Sequence, residues 1–76
     1  MPMLRKASGK KVVKILCNKF GFEITGGKGS HVRLSKMTPT GKVGTAVPMH
    51  KELKIGTLGG ILKLAKVDFD EFSKYL

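Results

Sequence analysis

Residues 22–47 have the sequence FEITGGKGSHVRLSKMTPTGKVGTAV, and this stretch decides the fold. Three short runs alternate apolar and polar residues, the period of a strand that buries one face, and turn-forming residues separate them. The alternation occupies 22–25, 30–36 and 42–47, and the turns occupy 26–29 and 38–41. Because consecutive strands joined by short turns pair with each other, the stretch predicts a three-stranded antiparallel sheet that ends at Pro48.

A helix is predicted before this stretch. The segment from Ser8 to Phe20 has apolar residues at helical spacing, with Ser8 in the N-cap position and Gly21 just after its end. Lysines and one asparagine occupy the other face of this helix. Cys17 lies on the apolar side, so we expect a buried core thiol and not a nucleophile.

The end of the chain is predicted to form two more helices. In the first of these helices, apolar residues three and four positions apart form one stripe along the helix. Thr57 is the expected N-cap of this first helix. Gly59 and Gly60 are unusual inside a helix, where they either permit close packing or are simply tolerated. Asp68 and Glu71 have the spacing of a cap for a short last helix.

The predicted order is therefore α-β-β-β-α with a short C-terminal helix, which is an α+β fold. Helices cover one face of the three-stranded antiparallel sheet, and the other, open face meets solvent. This order matches the architecture of double-stranded-RNA-binding domains (dsRBD-like), which is an analogy of fold alone. We expect residues 1–76 to form a single domain.

The charge of the chain indicates a polyanionic partner. Fifteen Lys and Arg residues face five Asp and Glu residues, for a formal net charge of +10. Such a charge bears on partners more than on fold, and nucleic acid is the commonest polyanion. A protein that only coats phosphates, or one that docks on an acidic partner, would have the same composition.

The sequence gives no support to several other classes of protein. Lys or Gly interrupts each apolar stretch within a few residues, so we expect no transmembrane helix. No apolar run follows the charged N-terminal residues, so we expect no secretory signal. A single cysteine excludes an internal disulfide, and one cysteine with two distant histidines lacks zinc-ligand spacing.

His31 is the candidate for chemistry because strand alternation places it on the open face. Val32 and Leu34 are expected to point toward the helices, so His31 and Arg33 point the other way. Histidine changes charge near neutral pH, and RNA cleavage needs a base for the 2′-OH and an acid for the leaving 5′-oxygen. An ordinary exposed histidine is the alternative.

The residues just before His31 suit the binding of a phosphate group. Lys28 and Arg33 supply positive charge that would stabilise a phosphorane as it develops. Gly29 lets a phosphate approach the backbone, and Ser30 offers a hydroxyl donor. We expect this route to need no metal and no cofactor.

His50 is a second and weaker candidate. It follows Pro48 and Met49 near two lysines, and a second histidine would supply the acid in two-histidine ribonuclease chemistry. We prefer the alternative, in which His50 is a turn residue that packs or binds phosphate ahead of the next helix.

Several motifs, taken together, resemble one known family. They are Ser8-Gly9-Lys10, Gly21-Phe22, Gly29-Ser30-His31, Val47-Pro48-Met49-His50, Gly56-Thr57-Leu58 and the segment from Phe69 to Phe72. In this order they resemble HicA toxins over essentially the whole chain. The sequence differs from that pattern at Gly27, where a polar residue is frequent, and at Gly59-Gly60, where the helix often carries Arg or Lys.

The resemblance implies a function. HicA toxins are messenger-RNA interferases of toxin–antitoxin modules with a dsRBD-like fold, and a HicB antitoxin inhibits them. The family's catalytic histidine is the one in Gly-Ser-His, which is His31 here. We therefore expect a metal-independent mRNA endoribonuclease in the cytoplasm, with an acidic HicB-type antitoxin that covers His31. The alternative is a non-catalytic RNA- or DNA-binding module that uses the same basic face.

Overall fold

The computed structural model describes residues 7–76, and its elements follow the predicted order. They are α1 (Gly9–Lys19), β1 (Glu23–Lys28), β2 (His31–Thr38), β3 (Gly41–Pro48), α2 (Ile55–Ala65) and α3 (Phe69–Ser73). The strands form an antiparallel sheet in the order β1-β2-β3, so the predicted α+β class is confirmed. Within residues 7–76, no helix is long and apolar enough to cross a membrane.

Burial alternates along β2 and β3 because helices cover one face of the sheet and solvent meets the other. Leu34 on β2 and its partner Thr45 on β3 are buried, whereas Arg33 and its partner Ala46 are exposed. A two-residue turn at 39–40 connects the strands. The pairing therefore separates core-facing from solvent-facing residues as the sequence predicted.

β1 is longer than the predicted strand. The sequence predicted a strand at 22–25 and a turn at 26–29, but β1 continues through Lys28 and the turn has only two residues, 29–30. The glycine-rich segment stays extended because it pairs with the first residues of β2, which satisfies its backbone hydrogen bonds. The prediction of a four-residue turn was therefore wrong.

Ile24 does not belong to the core, although the alternation of β1 predicted a half-buried strand. Its side chain is 61% exposed, and every residue of β1 is exposed. β1 is an edge strand, and a register shift between Ile24 and Gly26 marks a β-bulge. The helices cover Leu34 at the centre of the sheet but leave this edge open.

The core lies between the sheet and the helices. Its larger buried side chains are Val12, Val13, Ile15, Leu16, Phe22, Leu34, Val43, Val47, Leu53, Leu58, Ile61, Leu62 and Phe72. Thr45 is a polar residue inside it, and its hydroxyl donates a hydrogen bond to the Ile61 carbonyl at 2.9 Å. α2 is therefore joined to β3 by apolar packing and by this buried hydrogen bond.

α1 is fixed at both ends by side chains. Ser8 is confirmed as its N-cap, because the Ser8 hydroxyl oxygen accepts a hydrogen bond from the Lys11 amide at 3.0 Å. After its last turn, Lys36 Nζ donates to the Phe20 carbonyl at 2.8 Å and lies 5.1 Å from the centre of the Phe22 ring. Lys36 is therefore a structural lysine on the helix side of the sheet.

The predicted cap of α2 was wrong, and that of α3 is confirmed. α2 begins two residues before Thr57, and Lys54 holds the cap position with no side-chain hydrogen bond. Its first turn is closed by the Leu58 amide, which donates to the Lys54 carbonyl at 2.9 Å while the Leu58 side chain is buried. In α3, the Asp68 carboxylate accepts from the Glu71 amide at 3.1 Å.

α1 begins in close contact with the end of β3. The Gly9 amide donates to the His50 carbonyl at 2.9 Å. A methyl group on Gly9 would overlap the Pro48 carbonyl oxygen. The contact between α1 and β3 therefore requires glycine at this position.

The two glycines inside α2 are tolerated and do not mediate close packing, because a methyl group at Gly59 or Gly60 meets open space. We expect Gly60→Ala to stabilise the protein by about 0.5–1 kcal/mol, since glycine loses more conformational freedom in a helix. Gly9→Ala should instead destabilise it by about 1–3 kcal/mol through overlap with β3. Chemical denaturation measures both changes, and a loss of stability in Gly60→Ala would contradict this account.

Candidate active site

His31 lies at the end of the sheet, on the open face. It is the first residue of β2 and pairs with Lys28 on β1 and with Pro48 on β3. The His31 side chain is exposed, whereas Val32 is half-buried and Leu34 is buried. His31 thus lies on the solvent side of β2, as the alternation of the strand predicted.

A shallow depression surrounds His31 and has a volume of about 520 Å³. Its lining residues are Gly27, Lys28, His31, Arg33 and Ala46. Three side chains that the sequence singled out are therefore brought together: an imidazole, an ammonium and a guanidinium. An imidazole transfers protons, and the two cations bind anions such as phosphate, so the group can act on a phosphate ester.

Gly29 and Ser30 form the turn that leads into His31, but they do not line the depression. Gly29 has a φ of +63°, which is the left-handed region that favours glycine. The Ser30 carbonyl accepts a hydrogen bond from the Met49 amide at 2.6 Å. The backbone of the turn is therefore tied to the end of β3, and both residues remain exposed to solvent.

His50 is exposed and does not line the depression either. It lies two residues beyond Pro48, the partner of His31. The hydrogen bond from the Gly9 amide to its carbonyl joins the end of β3 to the start of α1. The backbone of His50 thus has a structural contact, and its side chain is at the same end of the sheet as His31 without sharing its depression.

Two residues that shape the depression, Gly27 and Ala46, were not predicted as part of the site, although Gly27 stood out as a difference from the family pattern. A methyl group on Gly27 would lie 2.6 Å from the His31 carbonyl oxygen, and the φ of Gly27 is +156°. Glycine at this position is therefore what lets β1 approach His31. Ala46 pairs with Arg33, and its small side chain leaves the depression open. The alternation of β3 was a signal that would have found Ala46.

Cys17 is half-buried against the core, less deeply than the sequence predicted. Burial, and then the negative charge of Glu23, raise the pKa of its thiol. Little thiolate therefore exists near neutral pH, which argues against Cys17 as a nucleophile. Within residues 7–76, no group of three or more His, Cys, Asp or Glu residues is arranged to hold a metal ion.

The fold and this surface define a class: a small basic α+β protein with an exposed histidine in a cationic depression. Residues 9–67 match the family described as HicA toxin of bacterial toxin-antitoxin. Since the match covers most of the chain, the protein belongs to the HicA toxin family. No curated protein and no solved structure matches it.

The close approach of Gly27 to the backbone of His31 can be tested with a pair of variants, one of which is a matched control. We expect Gly27→Ala to destabilise the protein by about 1–3 kcal/mol, because the methyl group would overlap the backbone of His31. Gly26→Ala should stay within about 0.5 kcal/mol of the parent, because a methyl group there meets nothing within 4 Å. Thermal melting of both variants measures the difference, and equal melting temperatures would show that this approach does not constrain the site.

Proposed function

We propose that this HicA-family toxin is a metal-independent endoribonuclease that cleaves messenger RNA in the cytoplasm. The observation that carries the proposal is the depression that His31 shares with Lys28 and Arg33. Family membership supports the role of a toxin, and a net charge of +10 favours a polyanionic substrate.

In the proposed reaction, the 2′-oxygen of a ribose attacks the adjacent phosphorus while the bond from phosphorus to the 5′-oxygen breaks. The neutral imidazole of His31 accepts the proton of the 2′-OH, and solvent water supplies a proton to the departing 5′-oxygen. In the reverse assignment, protonated His31 donates a proton to the departing 5′-oxygen, and solvent water accepts the proton of the 2′-OH. Because His31 is exposed, a phosphate in either arrangement reaches it from solvent.

Lys28 and Arg33 bind and neutralise the phosphate in this proposal. Lys28 is directly across the strand pair from His31, and Arg33 is two residues further along β2 on the same face. Negative charge increases on the phosphorus oxygens as the bond to the 2′-oxygen forms, so fixed cations lower the barrier. The planar guanidinium of Arg33 can hold two of these oxygens together.

The turn before His31 contributes through its exposed groups. Ser30 would donate its hydroxyl to a phosphate oxygen, and Gly29 leaves space for the strand beside the backbone. The side chain of His50 has no assigned step. It would supply the acid only if the leaving 5′-oxygen lay outside the depression, near His50.

The proposed regulator is an acidic HicB-type antitoxin. Opposite charges speed the encounter of two proteins and set their relative orientation. The cations around His31 would therefore attract an acidic surface to the same depression that binds RNA. Inhibition then follows from covering His31.

Substitution of His31 tests the proposed chemistry. We expect His31→Ala to reduce the rate of RNA cleavage by about 10²–10⁴-fold, the usual contribution of a general acid or base. Stability should change by no more than about 0.5 kcal/mol, because the side chain is exposed. Cleavage of a messenger transcript with and without EDTA, together with thermal melting, provides the measurements.

His50→Ala is the comparison for that experiment, since His50 is the other histidine of the chain and is also exposed. Equal cleavage by the parent and by His31→Ala would remove His31 as the catalytic residue. Cleavage that EDTA abolishes would contradict a metal-independent route. RNA binding by the parent without any cleavage would favour the non-catalytic binding module.

Competition tests the proposed inhibition. We expect an acidic antitoxin, co-expressed from a neighbouring reading frame, to displace labelled RNA from His31→Ala, because both ligands would occupy the depression. The measurement is fluorescence anisotropy of the RNA as antitoxin is added. A ternary complex with undiminished RNA affinity would show that the antitoxin binds elsewhere.

A further inference from the structure

The exposed side of α1 is the second concentration of positive charge in the described part of the chain. Its exposed side chains are Lys10, Lys11, Lys14, Asn18 and Lys19, and this set is named the α1 ridge. No acidic residue occurs anywhere in α1. The α1 ridge and the depression at His31 are separate surfaces, because α1 lies on the covered side of the sheet.

A smaller depression of about 230 Å³ lies along the α1 ridge. Its lining residues are Lys11, Lys14, Ile15, Asn18, Lys19 and Tyr75. Tyr75 is 42% exposed, and its ring lies edge-to-face against Phe20 with the centroids 5.8 Å apart. The ridge therefore combines ammonium groups, one amide and a flat aromatic ring that the core holds in place.

The lysines of the α1 ridge are arranged unfavourably for the helix itself. Lys10 and Lys14 are four residues apart, and Lys11 and Lys14 are three apart, so like charges face each other on one surface. A bound anion would remove this repulsion. The ridge is thus better suited to holding a ligand than to stabilising the fold.

Four of the described carboxylates, Glu23, Asp68, Asp70 and Glu71, form no ion pair with the lysines of the α1 ridge. Glu71 forms its ion pair with Lys74 at 3.0 Å. The positive charge of the ridge is therefore available to a partner.

Three backbone contacts connect the beginning of α1 to His31. The Gly9 amide donates to the His50 carbonyl, the Met49 amide donates to the Ser30 carbonyl, and His31 pairs with Pro48. The ridge begins at the next residue after Gly9. The start of the α1 ridge and His31 therefore lie at the same end of the sheet, and a strand of RNA that passed around this end would reach both.

We infer that the α1 ridge binds the phosphate backbone of the same RNA strand that His31 acts on. This inference rests on the proposed ribonuclease function, which it extends by adding a second contact. An acidic protein fits less well, because lysine is depleted in the centres of protein interfaces, whereas lysines commonly contact phosphates. Lys19 Nζ lies 5.5 Å from the centre of the Tyr75 ring, so a phosphate bound by Lys19 would place its ribose or base beside this ring.

Tyr75 also provides a fluorescent probe for RNA bound at the α1 ridge. The chain has one tyrosine and no tryptophan, so its intrinsic fluorescence reports on the α1 ridge alone. RNA long enough to reach α1 should change the fluorescence of the His31→Ala protein in a saturable way. A dinucleotide, which covers only the depression at His31, should leave it unchanged. A titration of free tyrosine with the same RNA gives the loss of fluorescence that is caused only by light absorption by the RNA.

The variant is Lys11→Gln/Lys14→Gln. Its control is Lys63→Gln/Lys66→Gln, which changes two exposed lysines with the same spacing and the same change of charge, one in the last turn of α2 and one at its C-cap. We expect the ridge variant to bind long RNA about tenfold more weakly and to lower the log–log salt slope by about 1.4, or 0.7 per lost phosphate contact. It should also lose the Tyr75 response. The control should change affinity much less, and cleavage of a dinucleotide should be equal in both.

Equal weakening in both variants would overturn the inference, because the effect would be one of net charge. It would also be overturned by unchanged RNA binding together with a weaker antitoxin complex, which would make the ridge a protein interface. Selective weakening in a protein whose parent does not cleave RNA would support the ridge and contradict the ribonuclease proposal. The two ideas therefore fail separately.

Discussion

The packing of Leu34 against the helices determines where every side chain of the central strand points. Leu34 is 1% exposed, and its burial assigns the odd and even positions of β2 to opposite faces. His31 and Arg33 are on the solvent face for this reason. A shift of one residue in register would bury both of them and expose Leu34, so burial in the core and exposure of the site are two results of one constraint.

Much of this arrangement could be predicted from the sequence, because apolar residues that recur every two or every 3.6 positions show which side of a strand or helix is buried. The three strands, the face of His31 and the caps at Ser8 and Asp68 follow from such local patterns. The extension of β1 through its glycines could not be predicted, because it depends on pairing with β2. The close approach of Gly27 to His31 is likewise a contact between strands, and no pattern within either strand encodes it.

The lysines of this protein have different roles, although composition alone treats them as one charge. Lys36 is bound to the Phe20 carbonyl at the end of α1, and Lys74 is paired with Glu71. Lys28, in contrast, lies on the open face beside His31. A net charge of +10 therefore indicates a polyanionic partner, but only the structure separates the cations that stabilise the fold from those that can meet a ligand.

The proposed reaction at His31 begins with attack by the ribose 2′-oxygen on the adjacent phosphorus, and the chemical ends of the RNA products test that attack most directly. Mass spectrometry of the products made by the purified protein in EDTA measures these ends. Attack by the 2′-oxygen predicts a 2′,3′-cyclic phosphate on one fragment and a 5′-hydroxyl on the other, and no cleavage where the 2′-OH is replaced by hydrogen. Products with a 3′-hydroxyl and a 5′-phosphate, or cleavage at a 2′-deoxy position, would contradict the account.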